Sequence, residues 1–406
     1  MIVEPDPVEF SAAFFAAVHL RVPIVLGNPN WGRMEWERVR QLVNPAVLFG
    51  QPPWGGVPGL SGSIPDLLPG RILIPTGGSS GGVKFSVHEW ETLLAATDGF
   101  RACFGGEPIY ACCVLPLHHV SGLMQVVRSF VSGGRIAFSD VSALQAGAIP
   151  FSEPGTLCLS LVPTQLQRLL ARGGGARELT SARMIALGGA SISDSLITQA
   201  REAGLPIVLS YGMTETAAMV TALPVSAFLR GSKSAGVPLP HAEVDVVGAD
   251  GRACPPGGLG RIRVSGRSLF EGYHPITSEK PGSYVTGDEG YFDANGHLHV
   301  IGRSDRIIIS GGEKIDPLEV ETAILNTDYA DTAMVLGWPD PEWGQQVVAL
   351  YTVEDPLVES PDWRAVLREA LAHYKIPKRI VRVRSLPCNA QGKVDRARVA
   401  AILAAP

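Results

Sequence analysis

The stretch Pro75-Thr-Gly-Gly-Ser-Ser-Gly-Gly-Val-Lys84 decides how this chain is read. It follows an apolar run over 71–74 that has strand character, and the pattern over 86–104 predicts a helix after it. Glycines let backbone N–H groups turn toward an anion, the hydroxyls of Thr76, Ser79 and Ser80 can donate to phosphate oxygens, and Lys84 supplies compact positive charge. The spacing is not the Walker pattern, because Phe85 follows the lysine. Alone, such a loop serves equally as a flexible connection or a phosphate cradle.

Together with 71–74, apolar runs over 110–115, 135–138, 158–162, 184–187 and 207–209 alternate with helical segments over 86–104, 122–131, 163–171 and 194–203. Continuous apolar runs separated by helices predict parallel strands covered on both faces, an α/β arrangement. Upstream, 7–18 and 31–42 read as helices and 22–26 as a short buried strand, while 45–69 is rich in turn residues. Downstream, short strands over 243–247, 260–264 and 297–301, parted by Gly-Ala-Asp-Gly and Asp-Ala-Asn-Gly, predict local antiparallel sheet. A boundary is expected near 303–306. After it, helices over 317–325 and 363–372 alternate with strands over 333–336, 347–353 and 379–383 in a small α+β unit.

The 406 residues, 46% apolar and 18% charged, are enough for two or three units with a sizeable core. A net charge of −5 argues against a general nucleic-acid binder. No apolar run reaches the roughly 18 residues of a membrane helix, and the opening MIVEPDPVEF lacks the basic region of a signal peptide. Cys103, Cys112, Cys113, Cys158, Cys254 and Cys388 lack CxxC spacing, so they read as reduced, mostly buried small hydrophobes of a cytoplasmic protein.

Three further motifs carry chemistry. Ser210-Tyr-Gly-Met-Thr-Glu215 follows a strand end, where open α/β sheets place ligands. Tyr211 offers a flat face, Thr214 a hydroxyl and Glu215 a hard oxygen for Mg²⁺. The bland alternative is a strand–turn–helix junction capped by Thr214. Thr286-Gly-Asp288 with Arg303 can grip a vicinal diol, or can be turn residues and a surface ion pair. Asn389-Ala-Gln-Gly-Lys393 places a lysine on a polar loop, where most lysines are simply solvated.

Their common order and spacing make four independent accidents implausible. The set, from Thr76 to the end, resembles the adenylate-forming superfamily of acyl-CoA synthetases, luciferases and adenylation domains. That resemblance implies a large body of parallel α/β sheets with a β-rich subdomain, residues 1–303, shortened at its N-terminus, and a small mobile α+β cap, residues 304–406. It implies ATP, Mg²⁺ and coenzyme A, a small carboxylic acid substrate, no nucleic-acid partner and no membrane span; a homodimer is compatible with it. By motif match, Thr76, Gly78, Ser79, Ser80, Gly81 and Lys84 hold the β- and γ-phosphates. Gly188, Gly189 and Ala190 line the adenine and acyl pockets, Tyr211 stacks on adenine, and Asp288 and Arg303 hold ribose. Thr214 contacts the α-phosphate, Glu215 binds Mg²⁺ and Lys393 is the catalytic lysine. Asp305 falls at the interdomain hinge, and Gly311 and Gly312 line a CoA tunnel. Arg261 stands where the family commonly has an acid.

Leu115-Pro-Leu-His-His-Val-Ser-Gly-Leu123 matches the family's acyl-pocket stretch, so His119, Ser121, Gly189 and Gly212 are expected at the acyl group. His119 can meet a substrate carboxylate or simply cap the next helix. The wording most resembles o-succinylbenzoate–CoA ligases of menaquinone and phylloquinone synthesis. Their second substrate charge asks for a partner, and His119, Ser121 or Arg128 are nearest in sequence. Aryl or medium-chain acyl-CoA synthetases and carrier-protein loaders are the alternatives.

Overall fold

The computed structural model describes residues 1–31, 33–50, 69–77, 83–151, 153, 155–171, 178–189, 192–275, 281–303, 308–310, 313–340, 343–368, 370–371, 373–389 and 394–404. Its centre is a seven-stranded sheet in the order Val237–Pro238, Ala218–Ala222, Ile207–Met213, Met184–Leu187, Leu157–Leu161, Tyr110–Cys113, Arg135–Phe138. The last five are parallel, as the apolar runs predict. On one face Leu166 and Leu169 of helix Pro163–Ala171 and Leu196, Ile197 and Ala200 of helix Asp194–Glu202 cover Leu159, Ile185 and Ile207. On the other, Phe100 of helix Trp90–Phe104 lies on Cys158, Met184 and Val208. Burial on both faces explains why these strands read as unbroken hydrophobic runs.

The caps locate the helices. Asp6 accepts from the N–H groups of Val8 and Glu9 at the start of Pro7–His19, Ser193 caps Asp194–Glu202, and Asp316 caps Pro317–Leu325.

One expectation fails at the deciding stretch. Arg71–Gly77 is not part of the parallel sheet. It pairs antiparallel with Val83–Glu89, in a four-stranded sheet with Gly272–His274 and Ile24–Val25. The helix expected from residue 86 begins instead at Trp90. In residues 83–89 apolar Val83, Phe85 and Val87 alternate with polar Lys84, Ser86 and His88, and Val83, Phe85, Ser86 and His88 are buried. That period suits a strand, and the Glu89–Thr92 capping box starts the helix only afterwards.

The predicted antiparallel region is a meander of Ala242–Val247, Gly260–Gly266, Ser283–Phe292 and Leu298–Arg303. Beyond it, Thr332–Asp340 and Gly344–Thr352 form a long hairpin flanked by Ile308–Ser310 and, in parallel, Arg379–Arg382. The buried cluster here, built on Ile315, Ile324, Tyr351 and Trp363, draws only on residues from 308 onward. All six cysteines are free thiols, with Cys112, Cys113 and Cys158 buried as expected, but Cys103 exposed. Among the described residues no helix is long and apolar enough to cross a membrane.

Candidate active site

The carboxyl ends of the parallel strands, the Arg71–Glu89 hairpin and the meander all open onto one cleft of ≈ 3250 Å³. A ligand pocket commonly measures about 300–1,000 Å³; this cleft exceeds that because it runs from Arg128 past Thr76 and Asp288 to Glu319 and Asn389.

Thr76 and Lys84 stand opposite each other where the two strands of the hairpin meet the undescribed residues 78–82, and both line the cleft. Gly78, Ser79, Ser80 and Gly81 lie outside the described residues. The strand Val83–Glu89 separates Lys84 from the helix that begins at Trp90, and Lys84 brings a positive charge to the cleft wall. Its Nζ sits 3.4 Å from the centroid of the Tyr273 ring.

The Tyr211–Glu215 segment is not a strand–turn–helix junction. Ile207–Met213 passes through a short 3₁₀ turn, Thr214–Thr216, and returns as the antiparallel strand Ala218–Ala222. The reversal is tight. A Cβ on Gly212 would lie 2.1 Å from the Ala218 carbonyl oxygen, and Ala217 and Ala218 hold φ of 51° and 81°. Such left-handed non-glycine residues cost of order 1–3 kcal/mol each and persist where surrounding structure imposes them. Here Thr216 Oγ1 accepts from Met213 N–H (3.1 Å) and donates to the Ala218 carbonyl (2.7 Å). The fully buried His88 lies with its Nε2 2.7 Å from the Thr214 carbonyl. Since a carbonyl only accepts, that nitrogen carries the proton.

Glu215 is buried, and its carboxylate accepts from the Tyr273 hydroxyl at 2.5 Å. Burial, then the Glu215 charge, push the Tyr273 phenol above its usual pKa, so it stays the donor. Among the described residues no three His, Cys, Asp or Glu side chains converge as a protein-only metal cage would require. One hard carboxylate on the wall of the cleft that Thr76 and Lys84 also line instead fits Mg²⁺, which is commonly held by one or two carboxylates together with substrate phosphates.

Asp288 lies inside the strand Ser283–Phe292, not in a turn, directly across from Arg303, whose side chain is outside the description. The Tyr211 hydroxyl donates to Asp288 Oδ2 (2.6 Å), and Thr286 Oγ1 accepts from the Asp288 N–H (3.0 Å). Arg261 donates through Nε and Nη2 to the Thr286 carbonyl (3.2 and 3.0 Å), so the residue replacing the usual acid steadies this segment. Gly188 and Gly189 follow strand Met184–Leu187; a Cβ on Gly188 would come within 3.0 Å of the Ser210 carbonyl oxygen, and Gly189 has φ +82°. Ala190 lies outside the described residues, as do Asp305, Gly311, Gly312 and Lys393.

The end of the cleft where the acyl group is expected is built by helix Val120–Val131. Gly122 permits its tight start, since a Cβ there would lie 2.2 Å from the Pro116 carbonyl oxygen. His119 occupies the N-cap position but makes no side-chain cap bond; it and Ser121 line the cleft. The His118 and His119 rings pack at 4.4 Å, and burial, then the neighbouring ring, push His118 down to about 3. Burial lowers His119 as well, so both rings are neutral near pH 7 and neither supplies a positive charge. Arg128 does. It is 4% exposed, lies 4.3 Å from the Phe100 ring and lines the cleft with Ser160, Ala186 and Met219. Burial lowers its pKa to about 10, which leaves it protonated. Its Nε and Nη2 have no hydrogen-bond partner among the described residues.

Tyr273, Tyr284 and His88 touch the site but belong to none of the motifs read from the sequence. Only the alternation over 83–89 could have placed His88; Tyr273 reaches Glu215 from 58 residues away, which no local pattern signals.

Residues 71–274 match the family model described as AMP-binding enzyme, and 319–393 match AMP-binding enzyme C-terminal domain. The 2-succinylbenzoate–CoA ligase of Enterococcus faecalis is 34% identical over 339 residues, covering 82% of this chain and 70% of that one. The 2-succinylbenzoate–CoA ligase of Geobacillus kaustophilus is 35% identical over 290 residues, covering 70% and 59%. The chain therefore spans well under the full length of these relatives. The structure of o-succinylbenzoate–CoA synthetase from Bacillus subtilis in complex with its acyl-adenylate superposes with a TM-score of 0.85 at 27% identity, covering 98% of this chain and 87% of that one.

Proposed function

The chain belongs to the AMP-binding enzyme family, and from that premise we propose that it is an ATP-dependent, AMP-forming carboxylate–CoA ligase acting on o-succinylbenzoate. In the first step a carboxylate oxygen attacks the α-phosphorus of ATP and pyrophosphate leaves. In the second the CoA thiol attacks the acyl carbon, loses its proton, and AMP departs with the bonding electrons of the acyl–oxygen bond.

Thr76 and Lys84 would bind the outgoing phosphates, and the Tyr211–Asp288 pair would present a carboxylate oxygen to the ribose hydroxyls beside Arg303. Thr214, its carbonyl bound by His88, would turn its hydroxyl to the α-phosphate. Mg²⁺ held at Glu215 with the nucleotide would neutralise phosphate charge. Motif matching assigns Lys393 to the charge developing at the α-phosphate, Asp305 to a hinge, and Gly311 and Gly312 to the CoA path. The separate buried clusters on either side of residues 303–308 support two units, 1–303 and 304–406. A cytoplasmic location and self-association as a homodimer belong to the same reading.

Arg128 carries the choice of acid. A buried guanidinium with unmet donors at the wall of the acyl end is costly unless an anion arrives. An aromatic dicarboxylate supplies one: its aliphatic arm reaches the nucleotide while the ring carboxylate meets Arg128. A monocarboxylate would leave the cation buried and unpaired.

Pyrophosphate release, followed by detection of the CoA ester, tests this over o-succinylbenzoate, benzoates and medium-chain acids. The dicarboxylate is expected to exceed the others in kcat/KM by about tenfold or more. Better turnover of a fatty acid would overturn the substrate, and transfer to a carrier protein without any CoA ester would overturn the acceptor.

A further inference from the structure

We propose that Tyr273 is a positioning residue for adenylation, its hydroxyl holding the Glu215 carboxylate and its ring face holding the Lys84 ammonium. The inference rests on the reading of Glu215 as metal-binding and Lys84 as phosphate-binding. Strand register brings the three together. Gly272–His274 pairs antiparallel with Val83–Glu89, placing Tyr273 opposite Ser86, so Lys84, two residues back, is its diagonal neighbour on the same face. Diagonal neighbours are within reach of aromatic and long side chains, and Lys84 Nζ indeed lies 3.4 Å from the ring centroid. The hydroxyl at the ring's edge reaches the other way, to Glu215.

The ring is itself fixed. Phe270 meets it edge-on at 4.9 Å, and the Tyr284 hydroxyl lies 2.9 Å from the Tyr273 oxygen. Each phenol has one proton; Tyr273 spends its own on Glu215, so Tyr284 is the donor to Tyr273. The order Tyr284 to Tyr273 to Glu215 therefore sets the carboxylate's direction. A carboxylate and an ammonium that share one aromatic neighbour in a partly buried cleft attract each other. One side chain that binds the anion at its edge and the cation on its face gives each a separate station, both on the wall of the same cleft. Tyr273 touches neither reacting atom in this arrangement; it acts through its two neighbours.

The test separates hydroxyl from ring. Mn²⁺ is titrated by electron paramagnetic resonance into the full chain with a non-hydrolysable ATP analogue, for wild type, Tyr273→Phe, Tyr273→Leu, Glu215→Gln and the Tyr273→Phe/Glu215→Gln double variant. Melting temperatures confirm folding. Tyr273→Phe is expected to weaken Mn²⁺ about tenfold while leaving metal-free nucleotide affinity within about twofold. Tyr273→Leu should also weaken the metal-free nucleotide, by about threefold or more, through loss of the Lys84 contact. In the Glu215→Gln background, Tyr273→Phe should add nothing. If Glu215→Gln weakens Mn²⁺ and Tyr273→Phe does not, the positioning role falls while the metal reading stands. If Glu215→Gln leaves Mn²⁺ unchanged, the metal reading falls and takes this proposal with it.

Discussion

The two ends of the cleft are finished to different degrees. At the end proposed to take the nucleotide, the polar groups already have protein partners: Asp288 is bonded by Tyr211, Glu215 by Tyr273, and Thr214 by His88. At the end proposed to take the acid, Arg128 is buried with two of its nitrogens unmatched among the described residues. Preorganised donors and acceptors suit a ligand that never changes, because nothing needs reordering when it binds. An unmatched buried cation instead costs the empty protein stability and returns it only to an acid that brings a counter-charge. Generality and selectivity are thus built by opposite treatment of polar groups.

The largest expected effect belongs to Lys393, proposed from its motif as the catalytic lysine. Lys393→Ala should lower adenylation by about 10²-fold or more, equally for every acid, as measured by pyrophosphate release. An acid-dependent loss would place Lys393 at the acyl end and break the contrast. Next comes Arg128→Met, which should cost about 30-fold or more in kcat/KM for the dicarboxylate. The same variant should melt no lower than wild type, because a buried unmatched charge is replaced by apolar volume. Tyr211→Phe should be milder, raising KM for ATP about three- to tenfold through a less well held Asp288, with acid preference unchanged.

The smallest effect is on stability against pH. His118, pushed down to about 3, and His241, pushed down to about 4 chiefly by burial, stay neutral in the folded chain where an unfolded histidine, near 6.5, takes up a proton. The unfolded state binds more protons throughout that interval, so the melting temperature should fall as pH falls from about 6.5 toward 4. His118→Gln should flatten the slope, and an unchanged slope would show that the ring is not held neutral.

Much of this was legible in the sequence, for physical reasons that differ by region. The parallel strands announce themselves because burial on both faces forces continuous apolar runs, and Met184–Leu187 and Arg135–Phe138 coincide with their predicted spans. Helices with strong caps, such as Pro317–Leu325, are equally plain. Val83–Glu89 misled because it runs directly into a helix, and the helical pattern of that helix was extended backward over a strand whose alternation is only seven residues long. At the site, the motifs gave the groups that face the cleft. They could not give Tyr273 or His88, whose roles come from strand pairing and from contacts 58 and 126 residues distant. Of His119, Ser121 and Arg128, the three candidates for a second substrate charge, the lowered histidines and the unmatched guanidinium nitrogens support the proposal of Arg128.

The most direct measurement is the ratio of kcat/KM for o-succinylbenzoate to that for 4-oxo-4-phenylbutanoate, the analogue without the ring carboxylate, in wild type and in Arg128→Met. A buried guanidinium reserved for that carboxylate predicts a ratio of about 30 or more in wild type, falling to near one in the variant. A ratio that survives the loss of Arg128 would contradict it.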